Sequence, residues 1–511
     1  MKHLKGFGIK NFRIFKEHTW FDFAPITLLV GPNNSGKSSL TKGLFSFKNF
    51  LQGDVSFKND EDFLQLGSFE RVLNNNSNNE IMTFSTIYTL KHYPTLGEEK
   101  DIKILFDLES NTSQITISKI YLELDGNLLF EIDSQNRKSR FNIRLFNTHL
   151  IIDDTKIKVK DDKIVDIMQP RINLGDSLSG NIVLGKELFT DKKNDLKEVI
   201  KIYSGKKYSI EEFIEIPLEY TVKVSNGNED EFFEEEYQQT VENSLRVLLL
   251  KSGYNNDQVN FIDEHIFRWI ANFNNDYLAR WKTLINHLEY HTNLKNNTQR
   301  IYRRIENDSF NNLLTAFFEK NISDNESSFF KRSGEIFNLQ GEIKPIFDKK
   351  YDIQTLEVSG LPLVEQGFGI SQIVALLLRI VTIQSRGTWG GKVTTLICEE
   401  PEANLHPGFQ SKLADMFVDA QRTFNHQFII ETHSEYMIRK FQYLVAKGKM
   451  KKEDIVIYYF NDPNNIPAGE KQVKKIEILE DGSLSDDFGS GFLDEADNLA
   501  INLFNLQNCK N

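Results

Sequence analysis

Cysteine is almost absent. The 511 residues include two, Cys398 inside an apolar run and Cys509 near the end. They are too few for a disulfide framework or a zinc site, so a reducing cytoplasm is the expected compartment. No apolar run approaches the roughly 20 residues that cross a bilayer, and the opening Met1-Lys-His-Leu-Lys-Gly6 lacks the apolar stretch of a signal peptide. No membrane segment is expected. Internal repeats of fixed period and long low-complexity tracts are also missing. Positive charge is in deficit: 61 Lys and Arg stand against 73 Asp and Glu, a net charge of −12. Such a surface repels a phosphate backbone, so nucleic acid would need a local basic patch. Gln299–Arg304 and Lys447–Lys452 are the candidate runs, although runs of this kind ordinarily form solvated helix faces.

Hydrophobic residues make up 40% and charged residues 26% of the chain, the composition of a soluble globular protein. The length predicts roughly three domains. The strongest local signal is Gly31-Pro-Asn-Asn-Ser-Gly-Lys-Ser38, directly after the apolar run Ile26–Val30 and before the amphipathic stretch Leu40–Phe47. A buried strand ending in a glycine-rich turn aims successive backbone N–H groups at phosphate oxygens, and the helix that follows adds its positive end. Lys37 would reach the β and γ phosphates of a nucleoside triphosphate, and the Ser38 hydroxyl would coordinate Mg²⁺.

Alternating segments such as Gln114–Leu124 and Phe141–Phe146 predict a β-rich region over 101–225. After the acidic run Asn228–Glu236, the spacing of Phe267, Ile270, Phe273, Tyr277, Trp281, Leu284 and Leu288 predicts helices over 226–350, where proline is absent from Leu218 through Lys344. These would interrupt an α/β head with a mixed sheet, its first part at 1–100 and its second at 351–460, followed by a small segment at 461–511.

In the second part, Thr394-Thr-Leu-Ile-Cys-Glu-Glu400 is an apolar strand ending in two acids. Beside the phosphate loop they would divide the work: Glu399 holds Mg²⁺ and Glu400 polarises the attacking water. Gln427–Glu431 leads likewise to His433, where a strand would deliver the imidazole beside the γ-phosphate. Val364–Leu378 contains two glycines and a serine opening an apolar helix, a second anion site. With one loop already serving one nucleotide, this second site predicts a head-to-head dimer enclosing two ATP molecules.

The ordered set resembles the ABC-type P-loop ATPase head of the structural-maintenance-of-chromosomes, DNA-repair and OLD-like proteins. Within that group, Glu-Glu-Pro-Glu-Ala-Asn-Leu-His-Pro407 and Glu-Thr-His-Ser434 are similar to OLD-like bacterial ATPases, including the ATPase subunits of Septu and PARIS phage-defence systems. The resemblance implies that Asn34, Gly36, Lys37, Ser38 and Ser39 bind ATP in the Walker A loop, with Asn11 and Arg13 of the first strand segment near the nucleotide. It implies a Q-loop at Gln65, a signature motif using Gly369 and Ser371, Glu399 and Glu400 at Walker B, a D-loop from Ala403 to His406, and His433 as switch histidine. The signature here reads Gly-Phe-Gly-Ile-Ser-Gln, not Leu-Ser-Gly-Gly-Gln, and Glu399 stands where many relatives have aspartate.

OLD nucleases carry a Toprim domain after the head. Here 78 residues follow His433, with strand-like runs at Asp454–Phe460 and Lys474–Leu479. Asp486, Asp487, Asp494 and Glu495 read as a solvated loop before a terminal helix over Ala496–Leu506, and no intrinsic nuclease is expected. The implied function is a molecular switch that pairs with a second copy of itself around ATP and Mg²⁺ and controls a separate effector, such as a nuclease, in phage defence. The competing expectation is a DNA-maintenance ATPase that clamps DNA. A non-hydrolysing scaffold is disfavoured by the joint presence of Lys37, Ser38, Glu400 and His433.

Overall fold

The computed structural model describes residues 3–51, 66–77, 80–90, 100–111, 114–124, 127–133, 140–145, 148–153, 180–184, 219–223, 288–291, 302–303, 309–319, 323–339, 343–348, 350–351, 353–383, 394–466, 469–489, 492, 499 and 501–503. Gln65, the acidic run Asn228–Glu236, the helical stripe Phe267–Leu284, most of Gln299–Arg304, Asp494, Glu495 and most of the terminal helix lie outside the described residues.

Twenty strands are described: β1 Gly6–Lys10, β2 Thr19–Asp22, β3 Ile26–Val30, β4 Met82–Leu90, β5 Lys100–Asn111, β6 Gln114–Leu124, β7 Asn127–Asp133, β8 Arg140–Leu145, β9 Thr148–Asp153, β10 Gly180–Leu184, β11 Glu219–Lys223, β12 Leu288–His291, β13 Tyr302–Arg303, β14 Ile343–Asp348, β15 Ile353–Val358, β16 Leu361–Pro362, β17 Thr395–Glu399, β18 Gln427–Glu431, β19 Ile455–Phe460 and β20 Val473–Ile476. The helices are α1 Lys37–Leu51, α2 Phe69–Val72, α3 Ser309–Phe318, α4 Asp324–Phe337, α5 Phe368–Ile383, α6 Pro407–Phe424 and α7 Glu435–Ala446.

The chain divides into two units, one of Met1–Lys5, Asp22–Thr41 and Asn286–Asn511, the other of Gly6–Phe21 and Lys42–Ile285. The first contains a six-stranded sheet in the order β12-β17-β18-β3-β19-β20. β12, β17, β18, β3 and β19 run parallel, and β20 is antiparallel at the edge. Short unbroken apolar runs such as Ile26–Val30 and Ile455–Phe460 form these central strands because both faces are buried, and every residue of β3, β18 and β19 is. Apolar residues of α3 to α7 complete one core with the sheet, including Leu314, Phe329, Leu377, Phe417 and Phe441. Pro407 opens α6 behind the capping imidazole of His406, and Asn425 ends it in the left-handed region at φ 56°.

Register fixes the business end of this sheet. Glu399 stands opposite Glu431, and Glu431 opposite Leu29, so the carboxyl ends of β17, β18 and β3 finish side by side. Open α/β sheets place ligands at such an edge. One expectation fails here: Leu288, counted in the helical stripe, begins β12, whose four residues pair with Thr395–Cys398. A helical spacing shared with residues upstream is overridden by a ladder to a strand more than a hundred residues later.

The second unit carries a ten-stranded sheet, β11-β9-β8-β10-β7-β6-β5-β4-β1-β2. The alternation of 114–124 and of 141–146 is there as β6 and β8, and Ile104, Phe106 and Leu108 bury every second side chain of β5. Phe7, Phe12, Phe47, Phe84 and Phe106 form its aromatic core, with paired ring centroids 5.3–5.8 Å apart. Asn11 and Arg13 belong to this unit, in a turn with φ of 53° and 51°. The Asn11 amide donates to the Ile81 carbonyl at 2.9 Å, and the Asn74 amide donates to the Arg13 carbonyl at 2.6 Å.

Candidate functional site

The loop after β3 turns on glycine. Gly31 has φ 139° and Gly36 φ 105°, and a Cβ on Gly31 would stand 2.4 Å from the Phe460 carbonyl oxygen. An L side chain fits neither that backbone nor that space. Exposed Asn34 takes the left-handed turn at φ 61°, while Ser39 is buried in the first turn of α1. Lys37 is 3% exposed and folds back on its own loop, donating to the carbonyls of Gly31 at 3.0 Å and Pro32 at 2.9 Å. The fully buried Ser35 hydroxyl has no hydrogen-bond partner among the described residues. A glycine-shaped turn, an ammonium and an unsatisfied buried hydroxyl at a helix start fit the phosphates of a nucleotide.

Acids converge on this loop from β17 and β18. The Ser38 hydroxyl donates to both carboxylate oxygens of Glu431, at 2.9 and 3.2 Å. Burial pushes the Glu431 carboxyl up to about 7, against the pull of Lys37 and the Ser38 hydrogen bond. Burial lowers the Lys37 pKa, opposed by Glu431, Glu400 and Glu402. Glu399, at the end of β17, accepts a hydrogen bond from the Tyr290 hydroxyl at Oε2. Desolvation, followed by this carboxylate, raises the phenol pKa, so the hydroxyl stays protonated and donates.

Glu400 sits in the left-handed region at φ 42°, its N–H bonded to the Glu431 carbonyl at 2.8 Å. That pinned turn carries its carboxylate to 3.5 Å from the Nε2 of His433. Burial, then the Lys37 charge, lowers the His433 pKa, so the ring facing Glu400 is neutral at pH 7. His433 is braced through its backbone: Glu402 accepts from the His433 N–H at 2.6 Å and the Thr432 hydroxyl at 2.7 Å. Lys37, Ser38, Glu399, Glu400 and His433 therefore surround one sheet edge.

The turn expected to form a second anion site differs from expectation in one residue. Ser371 is 1% exposed and donates to the Leu363 carbonyl at 3.4 Å, so it supports the turn from within. Gly367 is the exposed position, with open space around a Cβ. Gly369 faces Asn404 and Leu405, where a Cβ would stand 2.9 Å from Leu405 Cδ2 and 3.3 Å from the Asn404 carbonyl oxygen.

Residues 1–438 match the family described as AAA ATPase domain. The chain belongs to that family. Residues 450–503 match a second family, described as Protein of unknown function (DUF3696). Among solved structures, the ATPase is similar to the SMC head domain from Thermotoga maritima, at 10% identity and a TM-score of 0.35, over 94% of this chain and 100% of that one. It is also similar to the Smc head domain bound to the C-terminal domain of ScpA derived from Pyrococcus furiosus (13%, 0.38, over 93% and 97%). A third likeness is to the recombination mediator protein RecF (13%, 0.30, over 90% and 96%). No curated protein sequence matches the ATPase.

Three members of its site escaped the sequence reading: Glu431, Glu402 and Tyr290. Glu431 and Glu402 lie within quoted motifs, and an acid closing an apolar strand was the available signal for Glu431. Tyr290 carried none. In the C-terminal segment, Asp486 lies 3.9 Å from Lys474. After α7, Lys447, Lys449, Lys451 and Lys452 are exposed, with Lys452 3.0 Å from Glu480. No described helix is long and apolar enough to cross a membrane.

The raised Glu431 pKa has a stability consequence. A carboxyl that titrates near 7 when folded and near 4.5 when unfolded stabilises the fold below about pH 4.5, and that stabilisation is lost as pH rises through about 7. Without nucleotide, the parent should lose about 3 kcal/mol of stability relative to Glu431→Gln between pH 4.5 and 8. Urea unfolding of both proteins across that range checks it; parallel stability curves would contradict the assignment.

Proposed function

We propose that the chain is an ATP-hydrolysing molecular switch of the OLD-like, SMC-like ABC type, which pairs head to head around ATP and controls a separate effector protein in antiviral defence. The observation that carries the ATP-hydrolysing part is the convergence of Lys37, Ser38, Glu399, Glu400 and His433 on one edge of a parallel sheet; pairing, effector control and the defence setting rest on the resemblance of Glu399–Pro407 and Glu431–Ser434. Lys37 would give up its two loop carbonyls for phosphate oxygens, and Ser38 would turn from Glu431 to Mg²⁺, with Asn34, Gly36 and Ser39 completing the cradle. Ser38 and Glu399 would hold Mg²⁺, which would neutralise phosphate charge. Glu400 accepts the proton of the attacking water, and neutral His433 holds that carboxylate and faces the terminal phosphate. Asn11 and Arg13 are assigned to nucleotide contact on the resemblance alone.

Pairing would use the exposed signature turn. Gly367→Arg should leave nucleotide affinity of a single head intact and prevent ATP-dependent doubling of mass, because a long cation is added where space is open. Light scattering with ATP and Mg²⁺ checks it, and normal doubling would remove this turn from the interface.

The exposed lysines of Lys447–Lys452 favour a second reading, a DNA-maintenance ATPase. Tagged Glu400→Gln protein, purified from its host with ATP and Mg²⁺, distinguishes the two. A stoichiometric second protein supports the effector-holding switch, whereas a homodimer carrying only DNA supports the maintenance ATPase.

A further inference from the structure

β12 brings a side chain to Walker B from far upstream. It pairs in parallel with β17, so Tyr290 stands opposite Ile397. Ile397 and Glu399, two residues apart on a strand, share a face, and on that face the Tyr290 hydroxyl reaches Glu399 Oε2. The same strand is clamped by the signature helix. Arg379 of α5 donates to the Glu289 carboxylate at 2.8 Å and to the Tyr290 carbonyl at 3.2 Å. A continuous set of polar contacts thus runs from α5, whose first turn holds Gly369 and Ser371, through Arg379 and β12 to Glu399.

We infer that Tyr290 is a positioning residue for Mg²⁺ use: its hydroxyl holds one oxygen of the Glu399 carboxylate and so orients the other toward the metal of the nucleotide complex, with Arg379 holding Tyr290 in register. This rests on the assignment of Glu399 to Mg²⁺ above. An outer partner that orients a metal-ligating carboxylate is typically worth about 10–100-fold in metal affinity.

The test is nucleotide affinity, read with a fluorescent ATP analogue while Mg²⁺ is titrated, together with the electron paramagnetic resonance of Mn²⁺ in the same complex. Tyr290→Phe keeps the ring and removes only the hydroxyl. It should raise the Mg²⁺ concentration for half-maximal tightening by about tenfold, weaken Mn²⁺ binding in parallel, and leave affinity in EDTA at the parental value. In a Glu399→Gln background, Tyr290→Phe should add little further. An unchanged Mg²⁺ midpoint in Tyr290→Phe, alongside a shifted midpoint in Glu399→Gln, would overturn the role of Tyr290 alone. An unchanged midpoint in Glu399→Gln itself would overturn the metal assignment and this inference with it. Equal loss of affinity in EDTA and in Mg²⁺ would make Tyr290 a packing residue.

Discussion

Lys37→Ala should lose ATP affinity by roughly a hundredfold or more. A hydrogen bond to a charged group contributes about 1.5–3 kcal/mol, and the ammonium would serve two phosphates while giving up the carbonyls of Gly31 and Pro32 that it now holds. The exchange of two neutral acceptors for two anionic ones favours the nucleotide, because charge-assisted bonds are roughly twice as strong. The same lysine lies among Glu431, Glu400 and Glu402, so its loss also leaves those acids uncompensated where phosphate must enter. Titration with a fluorescent ATP analogue checks this, and near-parental affinity would show that the loop binds its ligand through backbone alone.

Glu400→Gln should hydrolyse ATP roughly 10²–10⁴-fold more slowly, the range a positioned general base supplies, while retaining ATP affinity. The amide is nearly isosteric, the backbone N–H bond to Glu431 is untouched, and a side-chain oxygen remains for the His433 imidazole 3.5 Å away. Proton acceptance and one negative charge beside Lys37 are removed. Single-turnover phosphate release with ATP and Mg²⁺ measures it; turnover equal to the parent would take Glu400 out of the chemistry.

Much of this site was legible from sequence because it is local. Ile26–Ser38 and Thr394–Glu400 are unbroken strings in which a buried apolar strand, a turn and the reactive side chains follow one another, and the structure forms β3, the start of α1 and β17 from them. The strand β6 was legible by alternation. Register is what a string does not show. That Glu431 faces Ser38 depends on β18 lying beside β3 with Glu431 opposite Leu29, a pairing between residues more than four hundred apart in sequence. Tyr290 was masked more deeply: β12 is four residues long, too short for a period of two, and its Leu288 continues a helical spacing. Ser371 illustrates the converse, since the motif places it correctly at the start of α5 but cannot tell that the hydroxyl turns inward to Leu363.

If ATP closes two copies of the chain and hydrolysis reopens them, light scattering of Glu400→Gln with Mg²⁺ should give a doubled mass with ATP that returns to the single chain with ADP. The same mass with both nucleotides would rule out nucleotide-driven pairing.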